Sequence, residues 1–384
     1  MNRARFPGLA DGWARLDGPA GTQPVDDAIE AIASFMRSGA NANHGGLFAA
    51  GAATDAVITD ARAEVAALFG GDPRGVVFGP SMTALTMRFA GTVLRDCGPG
   101  DEVVVTRLDH DANVRPWVIA AERAGATVRW AEPDPETTEL SADAVRTVLT
   151  DDTRWVAVTA ASNACGTIPD LDGIVAAAHD AGARVYVDAV HAAPHRRLDL
   201  AALGCDVLAC SAYKWFGPHV GIQVARPELL EAYAPDKLDP SPDEVPDRYE
   251  LGTLPFEALA GVAAAARYVA SLGWEAVEAH EQALFARARD GLAAIDGVTL
   301  IGRAADRAPT LMFTVDGLTS AEVATRLAQE RVAVWHGNYY AAELERFLGL
   351  APHGAVRAGF VHYNDEADAD RLVAGVERIA ARLR

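Results

Sequence analysis

The chain has 384 residues, half of them apolar, and its 53 acidic against 34 basic side chains give a formal charge of −19. That length predicts a large core divided between one larger and one smaller domain, and the acidic balance argues against nucleic acid or an anionic membrane surface as partner, so that an anionic substrate would need local arginines. No apolar span of about 18 residues occurs and the opening MNRARFPGLADG lacks the apolar core of a signal peptide, so the expectation is a cytoplasmic protein without a membrane segment.

In chain order, short apolar and largely β-branched runs fall at 75–79 (GVVFG), 102–106 (EVVVT), 127–131 (TVRWA), 155–159 (WVAVT), 184–188 (RVYVD), 206–210 (DVLAC) and 221–225 (GIQVA). Near-continuous runs of this kind are what strands buried on both faces look like, and helical stretches such as LDGIVAAAHDAG between them fit crossover connections. The predicted fold class is α/β, a large domain with a mostly parallel sheet between helix layers. Residues 235–255, rich in Pro and Asp, read as a long loop, followed by an Ala-rich helix over Glu257–Leu272. A helix HEQALFARARDGLAAI, strands near 298–301, 310–315 and 355–361, and the closing amphipathic helix DEADADRLVAGVERIAARLR then predict a small C-terminal α/β domain. The expected division is 31–272 for the large domain and 273–384 for the small one, with 1–30 belonging to the small domain.

Only Lys214 and Lys237 are lysines; every other basic residue is arginine. Arginine does not practically lose its proton, whereas a desolvated lysine does, so a lysine kept in such a chain is a candidate amine nucleophile. Lys237 sits in APDKLDPSPDEVPD and reads as a solvated loop residue, which leaves Lys214 in SAYKWFGPHVG. The four cysteines, Cys97, Cys165, Cys205 and Cys210, show neither C-x-x-C spacing nor spaced histidine partners, so no metal site and no disulfide framework is expected.

Open parallel sheets bind ligands beyond the carboxyl ends of their strands. After RVYV comes Asp188, followed by His191; after EVVVT comes RLDHDAN with His110; after WVAVT comes AASNACGT with Asn163; after GVVFG comes Pro80-Ser81-Met82-Thr83, the start of a helix whose free N–H groups suit a phosphate. A lysine for an aldehyde, a carboxylate for a ring nitrogen, a flat imidazole and a phosphate cradle are together what pyridoxal phosphate requires. Each alone has an ordinary structural explanation: a helix cap, a satisfied polar histidine, a common helix start.

With VDAVH, SAYKWFGP, LDHDANVRPW, ASNACGT and VRAGFVHYN, the chain resembles the fold type I pyridoxal phosphate enzymes of the class V aminotransferase group, cysteine desulfurase-like branch, from about Phe6 onward. The resemblance implies a large domain that binds pyridoxal 5'-phosphate, with Lys214 as Schiff-base lysine, Asp188 against the pyridine nitrogen and His110 stacked on the ring. It implies a phosphate site from Thr83, Ser211 and the backbone of Ser81 and Met82, and Asn163 near the ring oxygen or the substrate carboxylate. Arg357 falls where the family clamps the α-carboxylate of an amino-acid substrate in a bidentate pair. Thr253, in ELGT, falls where a threonine reaches the neighbouring subunit's phosphate, so a homodimer with shared active sites is expected.

Three positions depart from the desulfurase pattern. His191 stands where a glutamine usually contacts the ring oxygen, and Tyr213 stands where a histidine usually helps with phosphate, a hydrogen bond a phenol can also donate. The loop that should carry the persulfide-forming cysteine reads VAVWHGNYYAAELERFLGLAPHGAVRAG and has none; aligned on Gly337, Tyr340 takes the place of the nucleophile. Cys165, near Asn163, is the one cysteine expected close to the cofactor, although packing of a small residue explains it better.

Persulfide chemistry needs a thiolate on that loop, so the expected activity is that of a β-eliminating C–S lyase on an α-amino acid. Epimerisation, decarboxylative C–C bond formation and transamination remain open alternatives, as does a non-catalytic sensor. The loop WHGNYY is expected to face the substrate side chain, with His336 or Tyr340 as pocket lining or as a second acid or base. Neither G-x-G-x-x-G nor a P-loop motif is present.

Overall fold

The computed structural model describes residues 2–382. Its strands are β1 (Ala14–Arg15), β2 (Val76–Gly79), β3 (Glu102–Thr106), β4 (Thr127–Ala131), β5 (Thr153–Thr159), β6 (Arg184–Asp188), β7 (Val207–Ser211), β8 (Gly221–Ala225), β9 (Val298–Ile301), β10 (Thr310–Val315), β11 (Val332–Ala333), β12 (Trp335–Gly337) and β13 (Ala355–Gly359). Seven of them form one sheet in the order β2-β8-β7-β6-β5-β3-β4.

The pairs β3·β4, β3·β5, β5·β6 and β6·β7 are parallel, as the β-branched runs predict. β8 is antiparallel to both β7 and β2. The reason is local: the connection over 212–220 is too short for a crossover helix, so the chain must turn straight back. Successive side chains fall on opposite faces. Val104, Val156, Val158, Val185 and Val187 enter one core cluster, whereas Val103, Val105, Trp155, Ala157 and Tyr186 enter the other. β4 departs from the expectation of burial on both faces: Thr127 and Arg129 are exposed because β4 is an edge strand.

Helices Ala49–Phe69 and Phe256–Ala270 lie together in the core on one side, and the expected long loop before the second helix contains only one short turn, Asp247–Tyr249. Beyond them, helix Trp274–Ala293 packs on a four-stranded antiparallel sheet ordered β12-β13-β10-β9. β12 was expected as loop; it pairs with β13, Trp335 opposite Arg357. β1 pairs in parallel with β11, and Ala14 and Leu16 join Leu311, Phe313 and Val356 in the core of this second unit. The closing helix runs Glu366–Ala381, capped by Asp365 and Asp368 in a capping box. Met1, Leu383 and Arg384, included in the expected ranges, lie outside the described residues.

Candidate active site

Asp188 closes β6 and Ser211 closes β7, so both stand at the carboxyl edge of the parallel strands, where open sheets keep their ligand crevice. After β7 the chain makes a single 3-10 turn, Ala212–Lys214, and reverses through Phe216, held at φ 70°. Trp215 and Phe216 are fully buried, so the turn carrying Lys214 is anchored in the core.

Two adjoining cavities meet at Lys214, one of about 70 Å³ and one of about 610 Å³. Thr83, His110, Asn163, Tyr213 and Lys214 line both; Asp188, His191, Ser211, Ser81 and Met82 line the smaller, Arg357 and Tyr340 the larger. Residues from six strand ends and loops thus converge on one space.

Lys214 Nζ donates to the carbonyl oxygen of Pro19 and lies 5.1 Å from the centre of the Tyr213 ring. Burial first, then the charge of Arg357, lowers its pKa to about 7, with Asp188 opposing. Near neutral pH much of this amine is therefore the free base, the form that attacks an aldehyde or accepts a proton. Burial raises Asp188 to about 6, opposed by the Val190 N–H on its Oδ1 at 2.9 Å and by Lys214. A protonated ring nitrogen beside it would favour the carboxylate.

His110 Nδ1 accepts the Ala112 N–H at 2.9 Å, which assigns the ring proton to Nε2. Burial, Lys214 and Arg357 lower its pKa to about 4, so it is a neutral, flat ring at physiological pH. His191 Nε2 lies 2.9 Å from Thr310 Oγ1, and burial, His195, Lys214 and Arg357 push its pKa well below the ordinary range. Its charged form is thus suppressed, and it resembles a neutral amide in charge if not in shape.

Ser81 caps helix Met82–Val93, its Oγ accepting the Ala84 N–H at 3.2 Å. The Met82 N–H donates to Ser211 Oγ at 3.0 Å, so two of the expected phosphate groups satisfy each other in the protein alone. β8 backs this helix start closely: a Cβ on Gly221 would come 2.1 Å from the Ser81 carbonyl carbon, which only glycine avoids.

Arg357, in the middle of β13, donates from Nη1 to the Asn163 carbonyl at 2.7 Å, and its guanidinium carbon lies 4.5 Å from the centre of the Tyr339 ring. Burial lowers its pKa to about 10, which leaves it charged at neutral pH. Asn163 Nδ2 donates to the Tyr339 carbonyl at 2.9 Å. Arg357 Nε and Asn163 Oδ1 are buried without a hydrogen-bond partner among the described residues. Two unmet polar atoms, a donor and an acceptor, in one wall are what a polar ligand would satisfy.

One expectation changes. His336 is exposed and does not line either cavity, because β12 alternates and its neighbour Trp335 takes the cavity side. Cys165 is fully buried against Thr138 and Thr167 and lines neither cavity, so it packs rather than attends the cofactor. Thr253, expected at the neighbouring subunit's phosphate rather than its own, is exposed and lines a separate cavity with Phe78, Arg88 and Tyr249. Sequence reasoning missed Pro19, whose carbonyl holds Lys214, because no local signal marks a proline nearly two hundred residues away; Tyr339, expected with the rest of the WHGNYY loop, lines the larger cavity. Sequence reasoning also missed Asp109, whose carboxyl accepts from Thr106 and from Asn113 Nδ2 at 2.6 Å and which burial raises to about 8. Its place in RLDHDAN, before His110, was the available signal.

A strand-end acid, a buried lysine of depressed pKa, a neutral imidazole and a capped helix start around one crevice define a pyridoxal phosphate-dependent enzyme of fold type I. The donor set fits that group: an amine for the aldehyde, an acid for the ring nitrogen, N–H and hydroxyl groups for the phosphate. The chain belongs to the class-V aminotransferase family, whose model (Aminotransferase class-V) matches residues 14–372. It is 35% identical to a probable cysteine desulfurase 2 of Mycobacterium leprae, over 98% of this chain and 95% of that one. The cysteine desulfurase CsdA of Escherichia coli superposes with a TM-score of 0.90 at 30% identity, covering 99% of this chain and 98% of that one. The apo cysteine desulfurase of Thermococcus onnurineus gives 0.93 at 25% identity, covering 99% and 97%. Among the described residues no helix is long and apolar enough to cross a membrane.

Proposed function

We propose that the chain is a β-eliminating lyase, acting on an α-amino acid with a sulfur leaving group on Cβ, that uses no persulfide cysteine. The observation that carries this reading is the absence of any cysteine from the lining of both cavities, with Tyr340 where a nucleophile would stand. When bound, pyridoxal 5'-phosphate supplies the electron sink that makes an α-proton removable. Lys214 holds the aldehyde carbon, and its nitrogen, when free, takes the α-proton; its lowered pKa suits that task near neutrality. Arg357 would hold the α-carboxylate, Asn163 that carboxylate or the ring oxygen, and Asp188, His110 and His191 would hold the ring at its nitrogen, face and oxygen. Thr83, Ser211, Tyr213 and the backbone at Ser81 and Met82 hold the phosphate. His336 has no role in this reading.

The reading extends to organisation. The large domain spans 31–272 and the small domain 273–384; of the segment 1–30, the β1·β11 pair with Ala14 and Leu16 supports membership of the small domain, whereas Phe6, Leu9, Val25 and Ala28 pack in the large core and helix Asp26–Arg37 runs through the expected boundary. The reading includes a cytoplasmic location and a homodimer in which Thr253 reaches the partner's phosphate; exposed Leu47, Phe48 and Leu251 support the homodimer. The test is a panel of L-amino acids and S-substituted cysteines, with pyruvate, sulfide, carbon dioxide, inverted product and amino transfer measured together. Pyruvate from a β-substituted amino acid is expected. Inverted, decarboxylated or transaminated product alone overturns elimination, and no turnover at all favours a sensor.

A further inference from the structure

The turn Asn338–Tyr340 joins β12 to helix Ala342–Phe347, and its conformation is unusual. Tyr339 and Tyr340 are consecutive residues with side chains at φ 54° and 61°, a left-handed conformation that is strained for such residues and persists only where surroundings over-determine it. At its base a Cβ on Gly354 (φ 58°) would lie 2.1 Å from the Gly337 carbonyl oxygen, so two glycines make the close approach possible. Four contacts then hold the turn. The Asp111 N–H donates to the Tyr340 carbonyl at 2.7 Å, Asn163 Nδ2 donates to the Tyr339 carbonyl at 2.9 Å, and Tyr339 Oη donates to the Ala355 carbonyl. The Tyr340 backbone N–H donates to Asn338 Oδ1 at 3.0 Å.

The two rings leave in different directions. Tyr339 is buried, with Arg357 over its face at 4.5 Å. Tyr340 stays largely exposed yet stacks on His110, ring centres 5.5 Å apart and planes inclined by 20°. A mobile loop would favour glycine and polar side chains at such positions; here backbone strain is kept in order to place two aromatic rings.

We infer that the Tyr339–Tyr340 turn is a fixed aromatic clamp: Tyr339 positions Arg357 for the substrate carboxylate, and Tyr340 positions His110 over the cofactor ring. Both are positioning residues, and the inference rests on the reading that Arg357 and His110 serve those two tasks. A stacked ring confines the imidazole to one plane, and a π face beneath the guanidinium restrains it without neutralising it.

The test uses the holoenzyme and follows the cofactor's visible absorbance and visible circular dichroism while L-alanine or L-alaninamide is added, so that pyruvate formation plays no part. Tyr340→Phe, which keeps the stacked ring, should retain the visible dichroism. Tyr340→Gly should melt no lower than wild type as apo-protein, because glycine relieves the φ strain, and should still lose at least half, roughly, of the visible dichroism. Tyr339→Leu should weaken L-alanine binding by about fivefold or more and L-alaninamide by less than about twofold, the size of a lost cation–π contact. Wild-type dichroism in Tyr340→Gly overturns the Tyr340 assignment. Equal loss of both ligands, or of neither, in Tyr339→Leu overturns the Tyr339 assignment, and if that variant does not fold the Tyr340 arm decides. Arg357→Leu serves as control: if it still prefers L-alanine over the amide as wild type does, the reading beneath the inference fails rather than the clamp alone.

Discussion

Lys214 Nζ is hydrogen-bonded to the carbonyl oxygen of Pro19, a contact between residues 195 apart in the chain. The N-terminal segment therefore closes over the amine that the rest of the site surrounds. Pro19 and Ala20 both line the larger cavity, so this stretch of the N-terminal segment forms part of the crevice wall.

Replacing that lysine separates stability from chemistry. The folded-state pKa is depressed from 10.5 to about 7, so the unfolded chain binds more protons between those values and apo-protein stability rises with pH across them. Lys214→Met removes this penalty and should stabilise the apo-protein at pH 7 by of order 2–4 kcal/mol, less the lost bond to Pro19. Denaturant melts at pH 7 and pH 10 check it: the gap between variant and wild type should shrink at the higher pH. The variant should not acquire the visible absorbance of covalently held cofactor.

Cofactor uptake by the apo-protein should follow the same amine. The free base is the reacting form, so the rate of appearance of the visible band should rise from pH 6 toward pH 8 and level off above the lysine pKa. A rate that is flat over this range would show that the amine titrates elsewhere.

Arg357→Lys keeps a charge but loses the planar fork. The KM for an amino-acid substrate should rise by about tenfold or more, as expected for the loss of a charge-assisted bidentate pair, with kcat changed less. Steady-state kinetics separate the two, and an unchanged KM would place the carboxylate elsewhere.

Substitutions in β12 should follow the parity of the strand. Trp335→Ala enlarges the cavity and should change the relative rates of small and bulky substrates, whereas His336→Ala, on the exposed side, should leave kcat/KM within about twofold. A large loss in His336→Ala would restore it as an acid or base. The cysteines should be dispensable in the same assay: with Cys97, Cys165, Cys205 and Cys210 all replaced by Ala or Ser, pyruvate formation should persist, reduced at most by packing losses.

Arg62 tests a buried ion pair whose members line neither cavity of the site. It donates to Glu250 at 3.1 and 2.9 Å and to the Val76 carbonyl at 2.7 Å, while Glu250 Oε1 accepts the Phe78 N–H at 2.8 Å, tying β2 to the segment that carries Thr253. Burial already raises Glu250 to about 7, with Arg62 opposing. Arg62→Met leaves that carboxyl without its cation and should destabilise the fold by about 3–5 kcal/mol, measurable by denaturant unfolding. The loss should ease on lowering the pH from 8 to 6, because a protonated Glu250 no longer needs a partner. Removing both partners in Arg62→Met, Glu250→Gln should cost less than Arg62→Met alone.

Much of the site is legible in the residues alone because its chemistry is carried by types that are rare or placed at recognisable points. One lysine in an arginine-rich chain, an acid at the end of an apolar run and a Ser-Met-Thr helix start each announce themselves without neighbours. The parallel sheet is legible for the same reason, since burial on both faces imprints a continuous apolar pattern. The reversal into β8 and the exposure of β4 are not, because strand direction and edge position depend on which elements lie beside each other.

By itself, then, the sequence determines the class of cofactor, the residues able to hold it and the lack of a cysteine on the loop, all of which are matters of side-chain type. Tertiary structure alone decides that Pro19 holds Lys214, that Thr310 holds His191, and that Trp335 rather than His336 faces the cavity. The physical reason is that side-chain chemistry is local, whereas distance and facing depend on register: a shift of one residue in β12 would exchange Trp335 and His336. The same holds for Tyr339 and Tyr340, two identical letters that the left-handed turn sends to two different partners, Arg357 and His110.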